Sequence, residues 1–222
     1  MVAAVTPTFN EESNWAGLLE PDLLVNGAKP EQRVVYSGLS WERYLAIDKE
    51  RSKDRSFPRF YYLDGDLEIM STSEEHERLK MWIGDLIGDF FFESEMDVVP
   101  RGEATMRLEL KKAGAEPDQS WCLDQARKFP DLVVEIALSS GGIPKLDVYQ
   151  RFKIPEVWIW RRQKLEICAL EDSGEYERAS ESKLLPRLDV SLLERCLGMD
   201  SWLQARRAFR AALARRTRSH RR

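Results

Sequence analysis

A glutamate set inside an apolar run constrains this chain of 222 residues more than any other feature. The segment FPDLVVEIAL, residues 129–138, reads as a strand. Side chains alternate along a strand, so Leu132, Val134, Ile136 and Leu138 face one way, while Asp131, Val133, Glu135 and Ala137 face the other. Glu135 therefore stands mid-strand among apolar neighbours, where an unpaired charge is costly. It needs a cation, a hydrogen-bond partner or a raised pKa. A salt bridge at a sheet edge would meet that need without any chemistry.

Two aspartates compete to share a cation with Glu135. Asp131 lies on the same face but four residues back, roughly 13 Å away at the strand rise. Two carboxylates clamping one Mg2+ at about 2.0–2.1 Å per bond cannot stand that far apart. Asp118, in EPDQSWCL, falls opposite Glu135 if the two strands pair, with axes about 4.8 Å apart. The pair to test is Asp118 with Glu135. Asp131 is left to end a turn or cap a backbone amide.

The surrounding pattern mixes helical and strand periods. Residues 1–38 carry Pro7, Pro21, Gly27 and Pro30 without sustained periodicity and read as an arm. Ser40 caps a helix over SWERYLAIDKER, and RFYYLDGDLEIMS is a hairpin turned at Asp64-Gly65. A long helix follows, capped by Ser71 or Ser73, with Leu79, Trp82, Ile83, Leu86, Ile87, Phe90 and Phe91 as its buried stripe. One turn back, that stripe reaches His76. MDVVP, EATMRLEL, PDQSWCL and FPDLVVEIAL are four strands in succession. PKLDVYQRF is a helix, IPEVWIW and KLEICALE form a hairpin turned by RRQ, and EYERASES is a last strand. One long helix runs from about Ser191 into the terminal arginines. This order predicts an α/β (α+β) domain over 39–190, a mixed central sheet flanked by helices, with a C-terminal helix over 191–222.

Charge is distributed unevenly. Residues 206–222 hold eight arginines and no acid, so with a net charge of -4 the rest of the chain carries -12. Arg206, Arg207, Arg210, Arg215 and Arg216 are candidate contacts to nucleic-acid phosphates, and a solvated, fraying helix end explains the same composition. Three cysteines without a CxxC pair read as reduced thiols of a cytoplasmic protein. No apolar run approaches the roughly 20 residues of a membrane span, and MVAAVTPTFNEESNW lacks the basic and apolar regions of a secretory signal. Two histidines are too few for a histidine-based metal cluster, and GxSxG, P-loop and GxGxxG sequences are missing.

A lysine completes the chemistry that such acids suit. Carboxylates hold a metal that polarises a phosphodiester and acidifies a water, and a cation steadies the transition state. Lys145 opens a helix ten residues after Glu135, across a flexible SSGG stretch. A surface lysine would look the same from sequence.

The run EEHERL, EPD, PDLVVEIALSS and PKLDVYQRFKIPEVWIW resembles the Uma-type (Uma-two) family of restriction-endonuclease-like nucleases in the PD-(D/E)XK superfamily, over about residues 40–175. By that resemblance Asp118 and Glu135 are metal-binding acids, and Glu75 or His76 contributes a further polar group. The superfamily's usual lysine position is occupied by Ala137, and Lys145 takes its place on the next helix. Helical phase favours His76 over Glu75, while the resemblance keeps Glu75 open. Tyr149, Pro155 and Trp158 match as well and read as packing.

The resemblance implies a Mg2+-dependent endonuclease, with Mn2+ able to substitute, acting on nucleic acid with DNA favoured, and a homodimer. The alternative is a nuclease fold with little turnover, serving as a nucleic-acid-binding, regulatory or oligomerisation module. The acidic body, Ala137 and the lack of a separate DNA-reading motif point that way.

Overall fold

A computed structural model describes residues 31–51 and 58–220, the side chains of 216–220 excepted. Its described residues form eleven strands and five helices in an α+β fold. They fall into two compact units. One comprises the described residues up to His76 with Thr105–Glu116 and Ser139–Lys153, and the other Glu77–Ala104, Pro117–Leu138 and Ile154 onward.

The first unit is built on an antiparallel sheet. Strand β1 (Gln32–Tyr36) borders β3 (Asp66–Ser71), which is followed by β2 (Arg59–Leu63), β6 (Ala113–Ala115) and β5 (Met106–Leu108). The expected hairpin joins β2 to β3: Asp64 and Gly65 both have positive φ, 48° and 103°, as a two-residue turn between twisted strands requires. Helix α1 (Trp41–Arg51) starts where Ser40 Oγ accepts the Arg43 amide at 3.1 Å. It lays Trp41, Tyr44 and Ile47 on Phe60, Tyr62, Leu67 and Ile69. The Tyr44 and Tyr62 rings stack with centroids 4.6 Å apart. Helix α3 (Lys145–Phe152) packs on β2 and β6.

The second unit holds a six-stranded sheet in the order β11 (Tyr176–Ala179), β10 (Lys164–Leu170), β9 (Glu156–Arg161), β8 (Leu132–Ile136), β7 (Gln119–Leu123) and β4 (Val98–Pro100). It is mixed, because β8 and β9 run parallel while the other neighbours are antiparallel. Helix α2 (Glu74–Glu93), of which the residues from Glu77 on belong to this unit, is capped by Ser73, whose Oγ accepts the His76 amide. Its predicted stripe packs on Trp121, Leu132, Val134, Ile136, Trp158 and Trp160. Two further helices, α4 (Val190–Leu197) and α5 (Trp202–His220), close the same core with Leu193, Cys196, Phe209 and Leu213.

Several expectations need correction. The single long C-terminal helix is two, because Gly198 ends α4 and Ser201 Oγ accepts the Gln204 amide to start α5. EATMRLEL yields only the three residues of β5, followed by a 3-10 turn at Glu109–Lys111. Its partner β6, Ala-Gly-Ala, has neither alternation nor β-branched residues to announce it. The four strands thus divide between two sheets. Residues 32–36 of the stretch read as an arm form β1, and 1–30 lie outside the described residues.

Helix α5 runs alongside α2 in the same direction, bonded at every fourth residue of both. Trp202 Nε1 donates to Asp85 at 2.7 Å, Arg206 grips Asp89 through two bonds of 2.7 and 2.6 Å, and Arg210 reaches Glu93 at 2.8 Å. Two of the candidate phosphate contacts, Arg206 and Arg210, are therefore engaged by acids. Arg207 and Arg215 are exposed, and the Arg216 side chain lies outside the described residues. No helix among the described residues is long and apolar enough to cross a membrane.

Candidate functional site

The alternation of β8 is the one its sequence demands. Leu132, Val134 and Ile136 enter the core under α2, and Glu135 points to the opposite face. Strand β8 is interior, flanked by β7 and β9, so a solvated salt bridge at a sheet edge is not how Glu135 is accommodated. Its residue is only 3% exposed. Strand β7 pairs antiparallel with β8 up to Gln119 facing Val134, and Asp118 is the residue just before β7. Asp118 is 1% exposed, and its Oδ2 accepts the Ile136 amide at 2.6 Å. Two buried carboxylates thus stand at the end of the β7–β8 ladder, Glu135 in β8 and Asp118 just before β7.

The neighbouring acids serve structure. Asp131 Oδ2 accepts the Leu123 amide at 2.8 Å, and its other oxygen takes Arg127, the capping role expected of it. Glu156, equally buried in β9, takes Trp158 Nε1 at 2.9 Å, Ser182 Oγ at 2.7 Å and the amides of Lys183 and Leu184 at 2.5 and 3.0 Å. It anchors the 182–184 segment, a task its sequence context does not disclose. Trp158 and, in the first unit, Tyr149 are fully buried, as packing residues should be.

The remaining sequence candidates, Lys145, His76 and Glu75, belong to the first unit. Lys145 opens α3, and its Nζ bonds Glu68 Oε1 at 2.7 Å while lying over the Tyr61 ring. Glu75 is exposed in the first turn of α2, whereas His76 is fully buried. His76 is thus the inward-facing residue of the two, as helical phase suggested. Its Nδ1 lies 2.9 Å from Glu31 Oε2. Burial alone would raise the Glu31 pKa, but hydrogen bonds from His76 and Ser139 and the Arg33 charge outweigh it and hold the group at about 2.

Three acids escaped sequence reasoning in this unit. Glu68 of β3 is fully buried and also accepts the Ile143 amide at 2.6 Å. Glu31 joins His76 to Ser139. Glu116 ties Arg51 to Thr105 and to the Phe60 amide. Only the alternation in DLEIMS, which sets Glu68 between Leu67 and Ile69, hinted at any of them, and a solvated strand face gives the same pattern.

Among the described residues, no three His, Cys, Asp or Glu side chains gather closely enough to enclose a metal ion by themselves. A pair of carboxylates can still bind a hard cation that keeps most of its water.

The family model Uma2, described as putative restriction endonuclease, matches residues 41–206, well over half of the chain. No curated protein matches. The chain belongs to the Uma2 family of restriction-endonuclease-like proteins.

Proposed function

We propose that this chain is a divalent-metal-dependent endonuclease that hydrolyses phosphodiester bonds of nucleic acid, DNA by preference, with Asp118 and Glu135 as its metal-holding acids. One observation supports this: a member of a restriction-endonuclease family has two almost wholly buried carboxylates near each other in the fold, Glu135 in β8 and Asp118 just before β7, bonded to the Ile136 amide.

The donor set fits Mg2+, with Mn2+ able to replace it. Carboxylate oxygens are hard ligands, and Mg2+ at phosphoryl sites is held by one or two carboxylates while water and substrate oxygens fill the rest. When bound there, the ion would polarise the scissile phosphate and acidify a water. The residues of the chain do the rest. The Ile136 amide holds the Asp118 carboxylate in place before any ligand arrives. Lys145 is assigned to steady negative charge growing on the phosphate. His76 is assigned a supporting role, fixed by Glu31, and Glu75 a polar contact at the start of α2. Exposed Arg207 and Arg215 are the proposed phosphate contacts, whereas Arg206 and Arg210 hold α5 to α2. A homodimer in a reducing cytoplasm completes the proposal, and three buried free thiols suit that compartment.

The test is nicking of supercoiled DNA with Mg2+ or Mn2+. The native chain should nick, EDTA should stop it, and Glu135→Ala should be inert while melting as a folded protein. Equal cleavage by both proteins would remove Glu135 from the chemistry and mark the activity as a contaminant.

A further inference from the structure

The loop that delivers Lys145 is held at every second residue. Ser139 Oγ donates to Glu31, the Gly141 carbonyl accepts from Arg33 at 2.5 Å, the Ile143 amide donates to Glu68 at 2.6 Å, and Lys145 Nζ donates to Glu68 at 2.7 Å. Arg33 also bonds Glu31 at 2.5 Å and stands 3.9 Å from Glu68, so the three holding side chains are themselves linked. All three are buried to within 8% of full cover. A Ser-Ser-Gly-Gly stretch has no reason of its own to adopt one conformation. Its shape comes from these contacts.

The location of Lys145 sharpens the point. A lysine at the first residue of a helix sits at the positive end of the helix dipole, where cations are disfavoured. A fully buried glutamate offsets that cost, and in return Lys145 and Arg33 neutralise a carboxylate that has no access to water. Gly142 lets Glu68 approach: a Cβ there would lie 2.1 Å from Glu68 Oε2.

We infer that Glu68 is the positioning residue for Lys145, setting both the loop and the ammonium group while touching no substrate itself. This rests on the assignment of Lys145 to the phosphodiester chemistry.

The test uses the full chain, with Glu68→Gln as the near-isosteric variant and Gly142→Ala as a second route that leaves Glu68 intact. Hydrogen exchange of the 139–145 segment should quicken at least about tenfold in both, other segments keeping their native rates. In nicking assays kcat should fall about 10- to 100-fold with KM within about twofold, because misplacement by about 1 Å is worth that much. Glu68→Gln combined with Lys145→Met should be no slower than Lys145→Met alone. Native exchange in both variants would overturn the assignment. So would faster exchange with unchanged kcat, or faster exchange throughout the first unit, which would make Glu68 a fold residue. If Glu135→Ala cleaves like the native chain, the nuclease assignment fails instead, and the exchange rates still judge the loop.

Discussion

The Ile136 amide donates to Asp118 Oδ2 at 2.6 Å, so the residue next to Glu135 in the chain fixes the Asp118 carboxylate. The Asp118 carboxylate is thereby tied to the backbone of the strand that carries Glu135.

Asp118→Asn separates that structural bond from the charge. The amide oxygen still accepts from Ile136, so the variant should fold and melt normally without metal. The native chain should melt higher as Mn2+ is added, by mass action on the folded state, and the variant should not. Nicking should drop at least about 100-fold, the upper end of the loss for groups that merely orient a ligand. A native-like Mn2+ shift in the variant would remove Asp118 from the metal pair.

How much of this was legible depended on whether the cause lay nearby in the chain. Glu135 inside its apolar strand, the Asp64-Gly65 turn, the Ser40 cap and the buried phase of His76 follow from two- and four-residue spacings, which local sequence contains. Glu68 did not, because its covering partner Lys145 lies 77 residues away, and alternation by itself cannot tell a covered strand face from a wet one. Glu31 was hidden for the same reason, its partners His76 and Ser139 being 45 and 108 residues distant. The break at Gly198 was visible as a residue, but the apolar stripe continued past it.

Arg206 and Arg207 are neighbours in sequence and should behave oppositely. Arg206 forms two bonds to Asp89, an acid 8% exposed at its side chain, so Arg206→Ala should cost about 1 kcal/mol, less at high salt. Arg207→Ala should leave stability within about 0.5 kcal/mol, the usual range for exposed sites. Only the second should weaken binding to a DNA duplex in a salt-dependent manner. Urea melts and fluorescence anisotropy of both variants decide it, and identical behaviour would end the division of labour.

Glu116 should matter for folding alone. Its carboxylate takes Arg51, Thr105 Oγ1 at 3.0 Å and the Phe60 amide at 3.0 Å, and Arg51 and Arg107 both bond Asp48. Glu116→Leu would leave Arg51 short of a buried counter-charge, and removing one partner of such a pair costs about 3–5 kcal/mol. Denaturant midpoints should shift accordingly. A loss below about 1 kcal/mol would show that Asp48 and the Pro58 carbonyl satisfy Arg51 unaided.

Glu31 should write itself into the acid limb of the stability curve. Burial acts to raise its pKa, but His76, Ser139 and Arg33 bring it down from 4.5 to about 2. A carboxylate depressed in the folded state contributes stability that is complete above its unfolded pKa and is lost as pH falls toward the folded value. The contribution, of the order of 2–3 kcal/mol by linkage, should therefore be whole above about pH 4.5 and fade between 4.5 and 2. Denaturant melts of the native chain and Glu31→Gln across that interval isolate it, since other carboxylates titrate alike in both proteins. The native advantage should shrink steadily as the solution is acidified. A gap that stays constant from pH 5 to pH 2 would mean that Glu31 is not ionised against His76 and Arg33 in the folded protein.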